Sequence, residues 1–130
     1  MKRYTFHRED DESLITIQSY FDNERITFAL DTGATHTVID LTRLLLAGYD
    51  LRNSIQTVPF ESAKGRIEAY TFKVKSIKAL GIEIPNMIIS AYDFLGNNVI
   101  TVIDGVLGLD FFEKHKVCID FNKSEITVFP

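Results

Sequence analysis

Asp31 is the residue of this 130-residue chain best placed to do acid–base chemistry. It begins the motif Asp31-Thr32-Gly33-Ala34, which follows the apolar, strand-like residues 26–30. Such a turn can hold the carboxylate in place, because backbone N–H groups point at it and glycine adopts conformations closed to other residues. Hydrolysis of a peptide by general acid–base catalysis needs two such groups, a base and an acid. The chain shows one copy of the motif, so the pattern indicates a symmetric dimer in which each subunit supplies one carboxylate.

A structural role is the alternative for Asp31, since aspartate is common in turns that end strands. Asp-Thr-Gly alone occurs by chance in roughly a few per cent of chains of this length. The context favours the catalytic interpretation, because the motif follows an apolar strand and is itself followed by the apolar stretch Thr37-Val38-Ile39.

A second glycine-bounded segment, Gly105-Val106-Leu107-Gly108, leads into a short apolar stretch downstream. On its own it predicts close backbone packing in a core. Taken together, the two motifs resemble those of the retropepsin-like aspartic proteases, the single-domain relatives of pepsin. Asp31-Thr32-Gly33-Ala34 is similar to the catalytic loop of that family, and Val106-Leu107-Gly108 is similar to its hydrophobic-hydrophobic-glycine element. The resemblance spans roughly residues 14–129.

The resemblance implies a homodimeric aspartic endopeptidase that binds an extended peptide between its subunits and uses no metal or cofactor. Two copies of Asp31 would share one proton, because like charges at close range cannot both ionise. One carboxylate would deprotonate a water while the other donates to the scissile carbonyl oxygen. Thr32 would hydrogen-bond across the dimer, and Gly33 would let the substrate backbone pass close to the loop. The expected catalytic residues are Asp31, Thr32 and Gly33.

The resemblance also implies substrate contacts just after the catalytic loop, on the groove wall and on a flap at residues 61–66. This flap departs from the viral members, whose tips are rich in glycine, since only Gly65 is present there. A basic tip would favour acidic or extended substrates, or would close poorly; an ordinary solvated hairpin is the other interpretation. For His36 a plain surface position is likewise the alternative. The expected substrate-binding residues are Ala34, Thr35, His36, Ala63, Lys64, Gly65, Asp104 and Val106.

Two further aspartates have defined expectations. Asp104-Gly105 superficially resembles a second catalytic loop, which would allow a monomeric enzyme, but the hydroxyl residue after the aspartate is missing. The resemblance instead puts Asp104 on the wall of the substrate groove. Asp110 is expected to accept a hydrogen bond from the Thr37 hydroxyl and so hold a short helix behind the catalytic loop.

Composition excludes several other classes of function. A net charge of −4 argues against nucleic acid as a partner. Cys118 is the single cysteine, so an internal disulfide is impossible, and its apolar neighbours predict a buried, inert side chain.

We see no signal peptide and no apolar run approaching the ~20 residues that cross a bilayer, so we expect a cytoplasmic protein with no membrane partner.

Two other functions compete with the protease interpretation. A catalytically silent peptide-binding or dimerisation domain with the same fold is the main alternative, because a fold does not guarantee its usual activity. A carboxylate-pair glycosidase is disfavoured, because the chain has no tryptophan and no second placed acid.

Hydrophobic periodicity predicts one all-β domain over residues 1–130 with one or two short helices. The resemblance implies that this domain is a retropepsin-like closed β-barrel. Helices are expected at residues 40–48, with Asp40 as the cap and Gly48 at the end, and at residues 109–115. The expected dimer contact is residues 125–129 pairing across the two-fold axis, with the N-terminal strand as the alternative. Strands are expected at residues 14–21, 26–30, 37–39, 55–60, 67–77, 87–92, 99–103, 117–121 and 125–129.

Overall fold

The computed structural model describes residues 1–8, 10, 14–62, 65–95 and 103–130. Within these ranges the chain forms twelve strands, two α-helices and one turn of 3-10 helix at Leu51–Asn53. The helices are α1, Leu41–Leu46, and α2, Leu109–Phe112. The strands are β1 Lys2–Thr5, β2 Thr16–Phe21, β3 Glu24–Leu30, β4 Val38–Asp40, β5 Gln56–Ser62, β6 Gly65–Lys73, β7 Ser76–Ala79, β8 Ile82–Pro85, β9 Ile88–Tyr92, β10 Gly105–Leu107, β11 Lys116–Asp120 and β12 Glu125–Phe129.

The strands form two sheets. Nine of them pair in the order β5-β6-β9-β4-β10-β3-β2-β7-β8, and the other three pair as β1-β12-β11. The all-β prediction with short helices is confirmed. Over the described residues the larger sheet runs as an open series from β5 to β8, so this pairing does not show the closed barrel that we expected.

The β2–β3 hairpin delivers the chain to Asp31. Its two-residue loop is Asp22-Asn23, with φ angles of 50° and 67°, the left-handed values that a tight hairpin loop requires. Alternate residues of both strands are buried, including Phe21 and Phe28, which are fully enclosed. Burial of each such ring contributes roughly 1.5–3 kcal/mol. The hairpin therefore gives Asp31 a rigid strand behind it.

One long arm that we expected at residues 67–77 is in fact two strands. β6 ends at Lys73, and β7 begins at Ser76 as the first half of a hairpin with β8. Between them the buried Val74 donates its N–H to Met87 O at 2.9 Å, which fixes the change of direction. The apolar-polar alternation continues through this point, so the sequence pattern did not reveal the break or predict β8.

Both helices are shorter than we expected. The predicted cap Asp40 makes no side-chain bond to α1; its Oδ1 instead accepts the N–H of Phe94 at 3.1 Å. Gly48 does follow the helix, with a φ of 99° that favours glycine. Of the strand expected at residues 99–103, residues 99–102 lie outside the described residues and Ile103 is not in a strand.

The last hairpin corrects two predictions. β12 pairs with β1 on one side and with β11 on the other, so Glu125–Phe129 has no free edge to pair with a second subunit. Cys118, which we expected to be buried, is exposed. It lies on the outer face of β11, while Val117 and Ile119 on the inner face pack against the core.

No helix within the described ranges has both the length and the apolar character needed to cross a membrane.

Candidate active site

The Asp31 carboxylate is held by the turn that it begins. Its Oδ1 accepts the N–H of Gly33 at 2.9 Å, and its main-chain oxygen accepts the N–H of Ala34 at 3.1 Å. The N–H of Asp31 donates to Leu107 O at 3.0 Å, which ties the turn to β10. The bond from Gly33 orients the carboxylate. Asp31 is half-buried, so part of the residue remains accessible to solvent.

Two glycines bring β10 unusually close to its neighbours. A Cβ added to Gly105 would lie 2.2 Å from Val38 O, and one added to Gly108 would lie 2.7 Å from the main-chain oxygens of both Ala34 and His36. A side chain at either position would therefore push the strand away from the catalytic loop. This close approach is the physical reason for the glycines that flank the second motif.

Hydrogen bonds between Thr37 and Asp110 hold the end of the catalytic loop against α2. The Thr37 hydroxyl donates to Asp110 Oδ1 at 2.7 Å, which confirms the predicted pairing, and it accepts the N–H of Gly108 at 3.1 Å. The Thr37 N–H also lies 2.9 Å and 3.0 Å from the two carboxylate oxygens of Asp110. Thr37 is fully buried, so this network satisfies polar groups that water does not reach.

The residues after Asp31 expose their side chains while their backbone is tied down. Ala34 O accepts the N–H of Leu109 at 2.8 Å, and Thr35 O accepts the N–H of Asp110 at 3.3 Å. Thr32, Thr35 and His36 are exposed, and Ala34 is half-buried. These side chains are placed on the open side of the loop, and their roles in binding stay predictions.

A row of small side chains crosses the sheet beside the catalytic loop. Val106 pairs with Ala29 of β3 and with Val38 of β4; Val38 pairs with Ser90, which pairs with Thr71 of β6. We call these five residues the cross-strand row. Val106 and Thr71 are half-buried, and the other three are buried. Of these five residues, only Val106 was predicted from the sequence as a substrate-binding residue. Counting alternate residues back from Asp31 would also have pointed to Ala29.

The expected flap is the β5–β6 hairpin. Gly65 begins β6 with a φ of 113° and is exposed, as is Arg66. Ala63 and Lys64, predicted at the flap tip, lie outside the described residues. At the base of the hairpin, burial and the nearby Asp40 carboxylate raise the pKa of Tyr92.

Asp104 lies well away from Asp31. Leu107 pairs with Leu30 in the parallel β3–β10 register, so Asp104 is four residues before the level of Asp31, roughly 13 Å along the strand. Its Oδ2 accepts the N–H of Thr27 at 2.9 Å, and its main-chain oxygen accepts the N–H of Asp40 at 2.7 Å. The Asp104 side chain thus ties β10 to β3, and this position does not support a second catalytic carboxylate within one chain.

An apolar cavity of about 220 Å³ opens beside the catalytic loop. Its lining residues are Leu30, Thr32, Leu109, Phe112, His115, Val117 and Ile119.

Comparisons with known proteins agree with this geometry. A family model described as "Aspartyl protease" matches residues 17–111. A retropepsin-like aspartic protease from Rickettsia conorii superposes with a TM-score of 0.71 at 21% identity, covering 98% of this chain and 90% of that one. The EIAV protease in complex with the inhibitor HBY-793 gives a TM-score of 0.59 at 18% identity, covering 83% of this chain and 93% of that one. No curated protein matches the sequence at a significant level.

A third solved structure extends the likeness beyond viral and bacterial proteins. The retroviral protease-like domain of Ddi1 from Leishmania major gives a TM-score of 0.54 at 14% identity, covering 90% of this chain and 94% of that one. At these identities the structural likeness shows the fold, while the family model spans most of the chain. The chain therefore belongs to the aspartyl protease family and has the fold of its retropepsin-like members.

Proposed function

We propose that the protein is a homodimeric aspartic endopeptidase that hydrolyses peptide bonds in extended polypeptides. The observation that carries this proposal is the Asp31 carboxylate, which is half-buried, oriented by the Gly33 N–H and backed by a loop fixed on both sides. Such preorganisation is what a group that exchanges a proton with a bound water requires.

The proposed reaction uses two carboxylates and one water. Asp31 and the partner's Asp31 share one proton, because the second charge is strongly disfavoured at close range. The ionised carboxylate takes a proton from the water as the water oxygen attacks the scissile carbonyl carbon, and the protonated carboxylate donates its proton to the carbonyl oxygen. Return of a proton to the leaving amine then breaks the C–N bond.

The dimer is needed because each chain supplies one placed carboxylate. Asp104 is engaged with the Thr27 N–H about four residues away from the loop, so it does not supply the second group. Thr32 is exposed next to an apolar cavity, and a partner subunit seated there would allow the hydroxyl to hydrogen-bond across the junction.

We place the substrate beneath the flap, beside Val106 and Thr71, the two half-buried residues of the cross-strand row. Ala34, Thr35 and His36 lie directly after the catalytic Asp31, Thr32 and Gly33, and Val106 lies at the level of Ala29 on the adjoining strand. Asp104 lies just before β10, where its Oδ2 accepts the N–H of Thr27, and we include it at the far end of the proposed groove. Ala63, Lys64 and Gly65 complete the proposed contacts at the flap tip.

Digestion of a broad peptide library across about pH 4 to 7 tests the proposal, with the products read by mass spectrometry. The wild-type protein is expected to cut internal peptide bonds and to be blocked by a pepstatin-like inhibitor. The Asp31→Asn variant is expected to fold and dimerise without cutting, while Glu83→Gln, an exposed change on β8, serves as the matched control. Peptide binding without cleavage by the wild type would instead indicate a silent binding domain.

A further inference from the structure

The β5–β6 hairpin, which is the flap, projects beyond the rest of its sheet. Residues 70–73 at the base of β6 pair with β9, whereas in the described part of the chain residues 65–69 pair with β5 alone. The projecting part is therefore held to the molecule through the base of β6. Gly65 is seven residues from Phe72, roughly 23 Å along the strand, so a small tilt at the base becomes a much larger displacement at the outer end.

Tyr49 packs against this base. Its ring meets the ring of Phe72 edge to face, with centroids 6.1 Å apart, one residue before β6 ends. The same ring contacts Phe21, the last residue of β2, with centroids 5.8 Å apart. Both phenylalanines are fully buried. Tyr49 therefore lies between the strand that carries the flap and the strand that leads into the β2–β3 loop.

The Tyr49 hydroxyl is anchored by Asp22. It donates a hydrogen bond to Oδ2 of that carboxylate, and the main chain of Lys75 also bonds the hydroxyl. Oδ1 of Asp22 accepts the N–H of Ser76 at 3.0 Å, and the Asp22 N–H donates to Ser76 O at 3.0 Å. A hydrogen bond to a carboxylate is among the stronger ones in proteins. The hydroxyl, the β2–β3 loop and the start of β7 are therefore joined at one point.

The two residues between β6 and β7 are fixed as well. Val74 donates its N–H to Met87 O at 2.9 Å, and Lys75 O accepts the N–H of Asn86 at 2.9 Å. These bonds hold the chain just below the flap. Tyr49 connects this fixed point to the Phe72 ring within β6, so a change at Tyr49 acts on the base of the flap.

The catalytic loop is held by a separate set of bonds. They run to Leu107, Leu109 and Asp110, in β10 and α2. Among the described residues, none of these bonds involves Tyr49 or Asp22. A substitution of Tyr49 is therefore expected to alter the flap and to leave the Asp31 carboxylate in place.

We propose that Tyr49 is a positioning residue for the flap: its hydroxyl bond to Asp22 and its contact with Phe72 fix the angle at which the β5–β6 hairpin leaves the sheet. The inference rests on the proposed function, since it assigns this hairpin to the binding of an extended peptide. A flap held at one angle is preorganised, so less free energy is lost in ordering it when the peptide binds. Loss of the anchor therefore weakens binding more than it slows the chemical step.

Peptide affinity measured without cleavage tests the inference. The probe is a library peptide that the wild type cleaves or binds, and the Asp31→Asn background keeps it intact. There Tyr49→Phe is expected to raise the Kd about fivefold or more, although the ring contacts with Phe21 and Phe72 remain. In the active enzyme the same change should raise KM by a similar factor and leave kcat within about twofold. An unchanged Kd would overturn the inference.

A double-mutant cycle shows whether the effect runs through Asp22. Asp22→Gly removes the carboxylate, and glycine suits the φ of 50° at this position. In that variant Tyr49→Phe is expected to change the Kd by less than about twofold, because the bond that it removes is already gone. Asp22→Asn, whose amide can bond both the Ser76 N–H and the Tyr49 hydroxyl, is expected to stay near wild type. An undiminished effect of Tyr49→Phe without the carboxylate would contradict the assigned anchor.

Amide hydrogen exchange separates flap positioning from a general loss of stability. Tyr49→Phe is expected to speed exchange of the projecting residues 65–69 about fivefold or more, while the N–H groups of Asp31 and Thr37 keep their rates. The control Ile82→Val removes one buried methyl group in β8, so it should lower stability without changing the Kd or the exchange of the flap. Equal acceleration at the flap and at the catalytic loop would show a purely structural role and would overturn the inference.

The two proposals fail in different ways. An enzyme that cleaves peptides through Asp31 with a Kd independent of Tyr49 overturns the flap inference alone. A protein that binds peptides in a Tyr49-dependent way and never cleaves them overturns the proposed function and keeps the flap inference. A protein that neither binds nor cleaves them overturns both.

Discussion

The Thr37 hydroxyl and the Asp110 carboxylate are joined by a hydrogen bond of 2.7 Å, across 73 residues of sequence. Thr37 lies just before β4, and Asp110 lies in α2. The bond therefore links the end of the catalytic loop to the helix that follows β10. Because Gly108 N–H donates to the same hydroxyl, the loop, the strand and the helix share one polar anchor.

Replacement of Asp110 is expected to destabilise the fold. Asp110→Leu leaves the buried N–H and hydroxyl of Thr37 without their acceptor, which costs about 2–4 kcal/mol of unfolding free energy. Urea titration of both proteins measures the difference. The control Asp110→Asn keeps an amide oxygen that can accept the hydroxyl hydrogen, so its loss is expected to be smaller. A leucine variant as stable as the wild type would show that this anchor does not contribute.

The close approach at Gly108 predicts a linked loss of stability and activity. A methyl group in Gly108→Ala would meet Ala34 O and His36 O at 2.7 Å, so the catalytic loop must shift. We expect a cost of about 1–3 kcal/mol and a large fall in kcat/KM. Gly48→Ala is the contrasting variant, because its φ of 99° strains an alanine but no atom lies within 4 Å of the added methyl. That variant should lose stability and keep its catalytic rate; equal rates for both variants would argue against the role of Gly108.

Tyr49 predicts a fall in stability at high pH. Burial, together with the hydrogen bond to Asp22, raises the pKa of Tyr49 to about 12 from its ordinary value of 10.0. The folded state therefore keeps the phenol proton between pH 10 and 12 while the unfolded state loses it. The stabilisation is fully present below about pH 10 and is lost as the pH rises toward 12.

Urea titrations at pH 9.5 and pH 11 check this behaviour. The unfolding free energy of the wild type should fall between the two values, and that of Tyr49→Phe should fall less steeply because the titrating hydroxyl is gone. The Phe21 and Phe72 rings that pack on Tyr49 still have an aromatic partner in this variant. Equal slopes in the two proteins would contradict the assigned environment of Tyr49.

The parts of the site that were predictable from sequence are those fixed by local chemistry. The sequence Asp31-Thr32-Gly33 favours a tight turn, and glycine at position 108 favours close packing of two backbone segments. The residue types alone therefore indicate both features. Thr37 and Asp110 were paired correctly because each lies beside one of these motifs.

The errors arose where distant partners decide the structure. Asp40 has the features of a helix cap, but the N–H of Phe94, far along the chain, takes its carboxylate. Cys118 lies between apolar neighbours, but Val117 and Ile119 face the core, so the alternation of β11 turns the thiol outward. The central place of β12 depends on β1, whose pairing the mostly polar N-terminal sequence did not indicate.

The account's central claim is that one site is built from the Asp31 residues of two subunits. Mixing wild type with Asp31→Asn at constant total concentration, after dissociation and reassociation, tests it most directly. If both carboxylates are required and subunits mix at random, an equal mixture should show about one quarter of the wild-type activity, because only pairs of wild-type chains cleave. Activity of about one half, in proportion to the wild-type fraction, would show that each chain acts alone and would contradict the shared site.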